Sequence, residues 1–320
     1  MSSVEVIIVN YRSAQLAIAC LESLEGIRSE ADRLHVSLVE NFSPDESLSI
    51  LKAVIAERGW QDWVELLPAD RNGGFAYGNN FALRRLLQAE TEPDFFWLLN
   101  PDTLVYPESL RSLVRYLNEN PEVGIVGSHL VWPNGEYPTS VFRFFSILGE
   151  LERGVSFGPI SRVLDRYRLV PEQPKEDALA DWVPGASMLI RKSTFDAIGL
   201  LDESYFMYFE ETDFCLRARR SGIRCGFAAG SRVVHLEGQS SGIRQEKEQR
   251  AKRLPRYWFD SRQRYFRKNY GRVYALTIDL VWSIGYVTKL IRRTILRKPN
   301  RDPPGLLRST LASMLRPLPK

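Results

Sequence analysis

Four short apolar segments, each ended by polar residues, alternate with segments of helical periodicity in the first hundred residues. The apolar segments are Val4–Asn10, His35–Glu40, Val64–Leu67 and Phe95–Leu99. Their length and their content of branched and aromatic side chains are typical of buried strands. Because strands and helices alternate along the chain, the pattern predicts an α/β fold with a doubly wound, mostly parallel sheet flanked by helices.

Polar clusters follow these strands at their carboxyl ends. The clusters are Asn10-Tyr11, Glu40-Asn41, Asn72-Gly73-Gly74 and Asn100-Pro101-Asp102. In open α/β sheets, ligands bind in the crevice beyond the carboxyl ends of the strands. We therefore expect the four clusters to form one ligand site, although each cluster alone is also compatible with an ordinary turn.

The remainder of the first 242 residues continues the α/β pattern. We interpret Phe142–Glu176, where the periodicity is weaker, as a variable insertion on the side of the site where a second substrate, the acceptor, would bind. We expect Ser193 to cap the short helix that begins there. The predicted strands are 123–130, 181–191 and 225–235, and the predicted helices are 107–120, 193–198 and 210–221.

Composition places the chain among globular proteins, because 44% of its 320 residues are hydrophobic and 26% are charged. The three cysteines are too few for a disulfide framework, which favours a reducing compartment. The N-terminal residues contain neither a basic segment nor a long apolar one, and we expect no secretory signal.

Charge is distributed unevenly along the chain. Residues 243–320 contain 20 Lys or Arg and 5 Asp or Glu, a net charge of +15, which leaves −11 for the rest because the whole chain carries +4. This basic, helical C-terminal tail is rich in aromatic residues, which favours an anionic membrane surface as its partner. We expect Trp258, Tyr265 and Trp282 at headgroup depth, and we expect no nucleic acid.

Residues 273–291 are the longest apolar stretch of the tail and contain only two charged residues, Asp279 and Lys289. The internal charge and the basic flanks favour a helix that lies on a membrane or packs on the protein. A helix that spans the membrane is the alternative, because the length nearly suffices.

Two sites in the sequence suggest metal and acid–base chemistry. Asp102 directly follows the fourth strand, where a carboxylate can hold Mg²⁺ or Mn²⁺ against a diphosphate. Glu210, Glu211 and Asp213 begin a predicted helix and follow aromatic residues, which favours a carboxylate with a raised pKa that acts as a general base. The alternatives are a turn aspartate and simple stabilisation of a helix N-terminus. His235 is a candidate metal ligand only because it accompanies these acidic residues in the chain.

Seven segments between Val4 and about Gly242 together form a recognisable set. They are VEVIIVNYRS, LVENFSPDES, NGGFAYGNN, WLLNPDT, WVPGASMLIRKSTFDAIGLLDE, YFMYFEETDFCLRARRSG and VVHLEGQSSG. In order and spacing, this set resembles the inverting family-two glycosyltransferases with the GT-A fold, and most closely the bacterial rhamnosyltransferase branch.

The resemblance implies which residues contact the nucleotide-sugar donor. Two positions depart from the common family pattern, since Glu40 stands where most members have Asp, and Asn100 replaces the first acid of the Asp-x-Asp metal motif. The implied donor-binding residues are Asn10, Tyr11, Glu40, Asn72, Gly74, Asn80, Asn100 and Asp102.

The resemblance also implies the catalytic roles. Asp102 and His235 would bind Mg²⁺ or Mn²⁺, and Glu211, where many relatives have Asp, would deprotonate the acceptor hydroxyl. Asp213 would orient the acceptor or brace the site. Direct displacement at the anomeric carbon would then invert its configuration.

The resemblance therefore predicts a metal-dependent hexosyltransferase in cell-surface polysaccharide or glycolipid assembly. Residues 1–242 would be the catalytic domain and 243–320 the tail. Its partners would be a nucleotide-diphosphate sugar, either dTDP-L-rhamnose or a UDP-hexose, and a glycan or lipid-linked acceptor. We expect the protein in the cytoplasm, peripheral at the inner face of the cell membrane. Whether it forms a homo-oligomer is left open by the sequence. The alternatives are a degenerate transferase that acts as a scaffold and, less favoured, a sugar nucleotidyltransferase.

Overall fold

The structure, a computed structural model, describes residues 2–89, 92–135, 139–236 and 253–318. The chain forms two units, each built from separate segments. The first contains Met1–Val141, Gln173–Phe206 and Glu210–Ser241, and the second contains Phe142–Glu172, Met207–Phe209 and Gly242–Lys320. The predicted boundary at residue 242 lies outside the described residues, and the division into catalytic domain and tail stays a prediction.

The described strands of the first unit are β1 (Ser3–Asn10), β2 (Arg33–Glu40), β3 (Val64–Pro68), β4 (Phe95–Leu99), β5 (Thr103–Val105), β6 (Val123–Val131), β7 (Ala178–Ala180), β8 (Ser187–Arg191) and β9 (Arg224–His235). They form one sheet in the order β3-β2-β1-β4-β8-β6-β9-β5, with β7 also paired to β9. Strands β3, β2, β1 and β4 are parallel, and so are β6 and β9, while every antiparallel pair includes β5, β7 or β8. The prediction of an α/β fold with a mostly parallel sheet is thus confirmed.

Helices cover this sheet because its central strands are apolar on both faces. In β1, Val6, Ile7 and Ile8 are all completely buried. The first-unit helices are α1 (Ala14–Glu25), α2 (Ser47–Glu57), α3 (Gly74–Leu86), α4 (Ser109–Glu119), α7 (Lys192–Ile198) and α8 (Glu210–Arg220), and those of the second unit are α5 (Ile147–Val155), α6 (Gly158–Val163), α9 (Arg256–Ile295) and α10 (Leu306–Met314).

Two local predictions in this region are wrong. The strand predicted over 181–191 is limited to the last five residues, β8, since Pro184 lacks the N–H that a ladder requires and Gly185 weakens strand structure. Ser193 does not cap α7, because Arg191 occupies the N-cap and the helix already includes Lys192.

In the second unit, the segment interpreted as a variable insertion provides α5, which packs directly against α9. Glycine permits close approach of the two backbones, because a Cβ added to Gly154 would lie only 2.6 Å from the carbonyl oxygen of Trp282. Tyr265 and Trp282 are buried within this unit. Their predicted placement at headgroup depth is therefore wrong: these rings contribute to the core.

A buried ion-pair network joins α5 and both halves of α9. Arg262 Nη2 lies 2.7 Å from Glu150 Oε2 and 2.7 Å from Asp279 Oδ1, and Gln263 also donates to Asp279. Burial alone would favour neutral groups. The opposite charges outweigh that effect, so they raise the pKa of Arg262 and lower the pKa of Glu150.

We predict that Arg262→Met lowers the free energy of unfolding by about 3–5 kcal/mol, because it leaves the buried Asp279 without its cation and leaves Glu150 with Arg153 alone. Urea unfolding measures the loss. Arg272→Met, at an exposed position of the same helix, is the matched control and should change stability by less than about 0.5 kcal/mol. Equal effects of the two substitutions would contradict the assigned role of the network.

Candidate active site

The ends of β1 and β2 bring two predicted donor-binding residues together. Asn10 and Glu40 are register partners, and Asn10 Nδ2 lies 3.5 Å from Glu40 Oε1. The backbone N–H of Ser43 donates to both Glu40 oxygens at 3.1 and 3.2 Å. Tyr11 follows at the rim and is partly exposed. The carboxyl edge of the parallel strands thus carries a buried, oriented polar pair.

The loop between β3 and α3 joins this edge through Asn41. The Asn41 amide donates to Asn72 Oδ1 and to the Gly74 carbonyl oxygen, each at 3.2 Å. Gly74 adopts φ +83°, and a Cβ there would collide with the carbonyl oxygen of Phe206. Glycine is needed here because the loop runs against the segment that leads to α8, where Phe75 N donates to Phe206 O at 3.1 Å.

Asn80 lies on α3 and is buried, and its side chain holds a neighbouring loop. Its amide nitrogen donates to the Leu201 carbonyl oxygen and to Glu203 Oε1, each at 2.8 Å, while Oδ1 accepts from Leu201 N at 3.2 Å. Through these contacts Asn80 stabilises the loop that contains Leu201 and Glu203. Its contact with the donor stays a prediction.

The predicted metal ligands meet because β5 pairs with the end of β9. Thr103, the first residue of β5, is the register partner of His235, and Leu236 N donates to Asp102 O at 2.9 Å. His235 Nε2 consequently lies 3.5 Å from Asp102 Oδ1 and 3.5 Å from Asn100 Nδ2. Residues more than 130 positions apart in sequence are thereby brought into one cluster.

The donor set of this cluster fits a divalent ion that is shared with a substrate. His235 Nδ1 is buried and has no hydrogen-bond partner among the residues described. Within the described ranges, no group of three or more His, Cys, Asp or Glu side chains is arranged to hold a metal ion. Asp102 and His235 would provide two ligands, and diphosphate oxygens and water would complete the shell, as Mg²⁺ commonly requires.

Glu211, the predicted general base, lies in the first turn of α8. Its Oε2 is buried and makes no hydrogen bond to the part of the chain that the structure describes. Burial raises the pKa of Glu211 to about 7, although hydrogen bonds from the backbone of Glu211 and Thr212 act in the opposite direction. A carboxylate with this pKa can accept a proton near neutral pH.

Asp213, two residues later, is fully buried and has well-defined partners. Tyr205 Oη donates to Oδ1 at 3.3 Å, and Arg217 Nε donates to Oδ2 at 3.1 Å. Arg217 also donates to the carbonyl oxygens of Ile198 and Leu200, at 2.5 and 2.8 Å. Asp213 thus ties α8 to the 198–205 loop, which supports bracing, whereas contact with an acceptor stays a prediction.

Four residues that lie close in sequence to these groups have left-handed backbones. Arg12 and Phe42 flank the Asn10–Glu40 pair with φ of 54° and 59°, and Tyr208 and Phe209 precede α8 with φ of 69° and 70°. Left-handed backbone is costly for such residues and concentrates at functional sites. No local residue pattern predicts it, because none of these positions is Gly or Asn.

Comparison with known proteins assigns the chain to a family and its fold to a class. The model of the glycosyltransferase like family 2 matches residues 2–270, and the chain belongs to that family. Its sheet and surrounding helices have the GT-A fold. A mannosyltransferase of Pyrobaculum calidifontis, solved with GDP-mannose and Mn²⁺, superposes with a TM-score of 0.57 at 15% identity, covering 98% of this chain and 80% of that one.

Several curated relatives are glycosyltransferases. The low-salt glycan biosynthesis hexosyltransferase Agl10 of Haloferax volcanii is 28% identical over 73% of this chain and 67% of its own length. The N-acetylglucosaminyl-diphospho-decaprenol L-rhamnosyltransferase of Mycobacterium tuberculosis is 27% identical over 56% of this chain and 61% of its own length, less than two thirds. The resemblance to glycosyltransferases, including rhamnosyltransferases, is confirmed.

We predict that Gly74→Ala destabilises the first unit by at least about 2 kcal/mol, since it adds a left-handed penalty to a backbone collision. Chemical unfolding followed by circular dichroism measures the change. Gly26→Ala is the control, because Gly26 has φ −65° and its added Cβ would lie 3.6 Å from Ser23 O. If both variants unfold at the same urea concentration, the close approach at Gly74 is not constraining.

Proposed function

We propose that this protein is an inverting, metal-dependent glycosyltransferase that moves L-rhamnose from dTDP-L-rhamnose to a hydroxyl group of a lipid-linked glycan. The family supports glycosyl transfer. The observation that carries the proposal is Glu211 at the start of α8, whose Oε2 is buried without a hydrogen-bond partner among the described residues and whose pKa is raised to about 7. Proton removal is the task for which such a group is suited.

Glu211 would take the proton from the acceptor hydroxyl as its oxygen attacks the anomeric carbon. The bond to the diphosphate breaks as the new glycosidic bond forms on the opposite face, so the configuration inverts. One base suffices for this single displacement, unlike the carboxylate pair of a glycoside hydrolase. Asp213 would hold the helix that carries the base, through Tyr205 and Arg217.

The donor would lie along the carboxyl edge of the sheet. Asn10 and Glu40 would contact the nucleoside, and the loop at Asn72 and Gly74 would follow the diphosphate. Asp102 and His235 would hold Mg²⁺ or Mn²⁺, which neutralises negative charge on the leaving diphosphate when bound. The mannosyltransferase solved with GDP-mannose and Mn²⁺ supports the choice of ion.

The names of the relatives support the choice of sugar and acceptor. The mycobacterial relative transfers L-rhamnose to N-acetylglucosaminyl-diphospho-decaprenol, a polyprenol-linked sugar. A comparable acceptor for this protein would place the reaction at the inner face of the cell membrane, in surface polysaccharide or glycolipid assembly.

We predict that Glu211→Gln lowers kcat by about two to four orders of magnitude, while the Kd for the donor changes only a few-fold. In the wild type, kcat should rise with pH and level off above about 7, because only the deprotonated carboxylate accepts a proton. The remaining activity of the variant should lose this pH dependence.

Glu57→Gln, at an exposed position of α2, is the control and should behave as the wild type. Near-normal turnover of Glu211→Gln would disprove the assignment and make Asp213 the next candidate base. Retention of configuration in the product, determined by NMR, would exclude direct displacement.

We predict that dTDP-L-rhamnose raises the unfolding temperature more than UDP-glucose does, and that Mn²⁺ increases this shift. Ligand at a hundred-fold excess over its Kd stabilises by about 2.7 kcal/mol. Asp102→Ala and His235→Ala should reduce the Mn²⁺-dependent part, whereas Asp62→Ala, a largely exposed carboxylate, should not. Full transferase activity in excess chelator would show that no metal is required.

A further inference from the structure

An exposed apolar stripe runs along the second half of α9. It consists of Val273, Leu276, Leu280, Ile284, Val287 and Ile291, whose side chains are between 40% and 80% exposed. Their spacing of three and four residues places them on one face of the helix. The stripe begins just after Gly271, where φ of 87° interrupts the helix. At 1.5 Å per residue it is about 27 Å long.

The exposed threonines on this half of α9 have hydrogen-bond partners within their own helix. The exposed Thr277 and Thr288 donate their hydroxyl hydrogens to carbonyl oxygens of their own helix, at 2.9 and 2.7 Å. The only charged residues within 273–291 are Asp279, which is buried against Arg262, and Lys289, which is paired with Asp302. The face that carries the stripe therefore offers apolar surface without a group that requires water.

The burial of the opposite face of the same helix determines how the apolar stripe can contact lipid. By length and composition α9 is able to cross a membrane. However, Trp282, Gly285 and Tyr286 on its other side are buried in the second unit, where α5 packs against it. Lipid cannot surround a helix that is covered along one face by protein. The geometry consequently fits a helix that lies in the plane of the interface.

The charge around the stripe indicates which kind of partner surface it would bind. Residues 272–320 contain ten Lys or Arg and only two Asp, and Arg272, Arg297, Lys298, Arg301 and Arg308 are exposed. A second copy of the chain would bring like charges together, whereas anionic phospholipid headgroups are complementary. An apolar face next to exposed cations is the combination that binds an anionic bilayer.

We propose that the apolar stripe docks this protein on a bilayer that contains anionic phospholipid, with the second half of α9 parallel to the surface. The stripe side chains enter the boundary between headgroups and acyl chains, and the neighbouring basic residues contact phosphate groups. This docking does not depend on the identity of the sugar or on the transfer chemistry.

The test is flotation of the full-length protein with vesicles of phosphatidylcholine alone or with 40% phosphatidylglycerol. The wild type should float with the anionic vesicles and far less with the neutral ones, and added salt should weaken binding. Leu280→Glu combined with Ile284→Glu should reduce the partition coefficient at least ten-fold. Leu148→Glu combined with Val163→Glu, exposed apolar positions outside the stripe, should leave it within two-fold.

Unfolding temperatures of both double variants establish that they fold, and turnover of a water-soluble acceptor should equal that of the wild type. Loss of flotation with retained turnover supports the docking proposal and leaves the proposed function intact. Equal flotation of the wild type and the stripe variant would overturn the docking proposal. So would a dimer in analytical ultracentrifugation that the stripe variant dissociates, because a second copy would then cover the stripe.

Discussion

The pairing of the three-residue strand β5 with the end of β9 is the constraint on which the candidate metal site depends. It is a backbone interaction, so the register of the ladder, and not attraction between side chains, brings Asp102 to His235. The turn before β5 is itself fixed, because Thr103 Oγ1 donates to the Asn100 carbonyl oxygen at 2.7 Å. With Asn100 in place of an acid, the site has less negative charge, and its geometry rests more heavily on this ladder.

The parallel half of the sheet could be predicted from sequence because its signals are local. The run of branched residues in Val4–Asn10 and the aromatic run in Phe95–Leu99 each define a strand without reference to the rest of the chain. Once these strands are parallel, their carboxyl ends must share an edge, which explains why Asn10 and Glu40 were expected together and are register partners.

The features that could not be predicted depend on contacts between distant segments. Asn80 belongs to the segment that was predicted to contact the donor, yet its amide is used by Leu201 and Glu203, 121 and 123 residues away. Tyr265 is an aromatic residue of the type that is enriched at membrane interfaces. However, Phe145 and Phe209 bury it, with ring centroids 5.8 and 5.7 Å away. Sequence periodicity reports that a face is apolar and does not report what covers it.

The second unit has a consequence for how this protein can be divided. Its three segments come from the middle and the end of the chain, and the short Met207–Phe209 segment immediately precedes Glu210. Within that unit, Ser261 donates to Met207 O at 2.9 Å, and Arg262 neutralises Glu150. A truncation after the sheet would therefore strip these inner segments of their packing and would not release a self-contained enzyme. Within this unit, the C-terminal region is a structural partner of the middle of the chain.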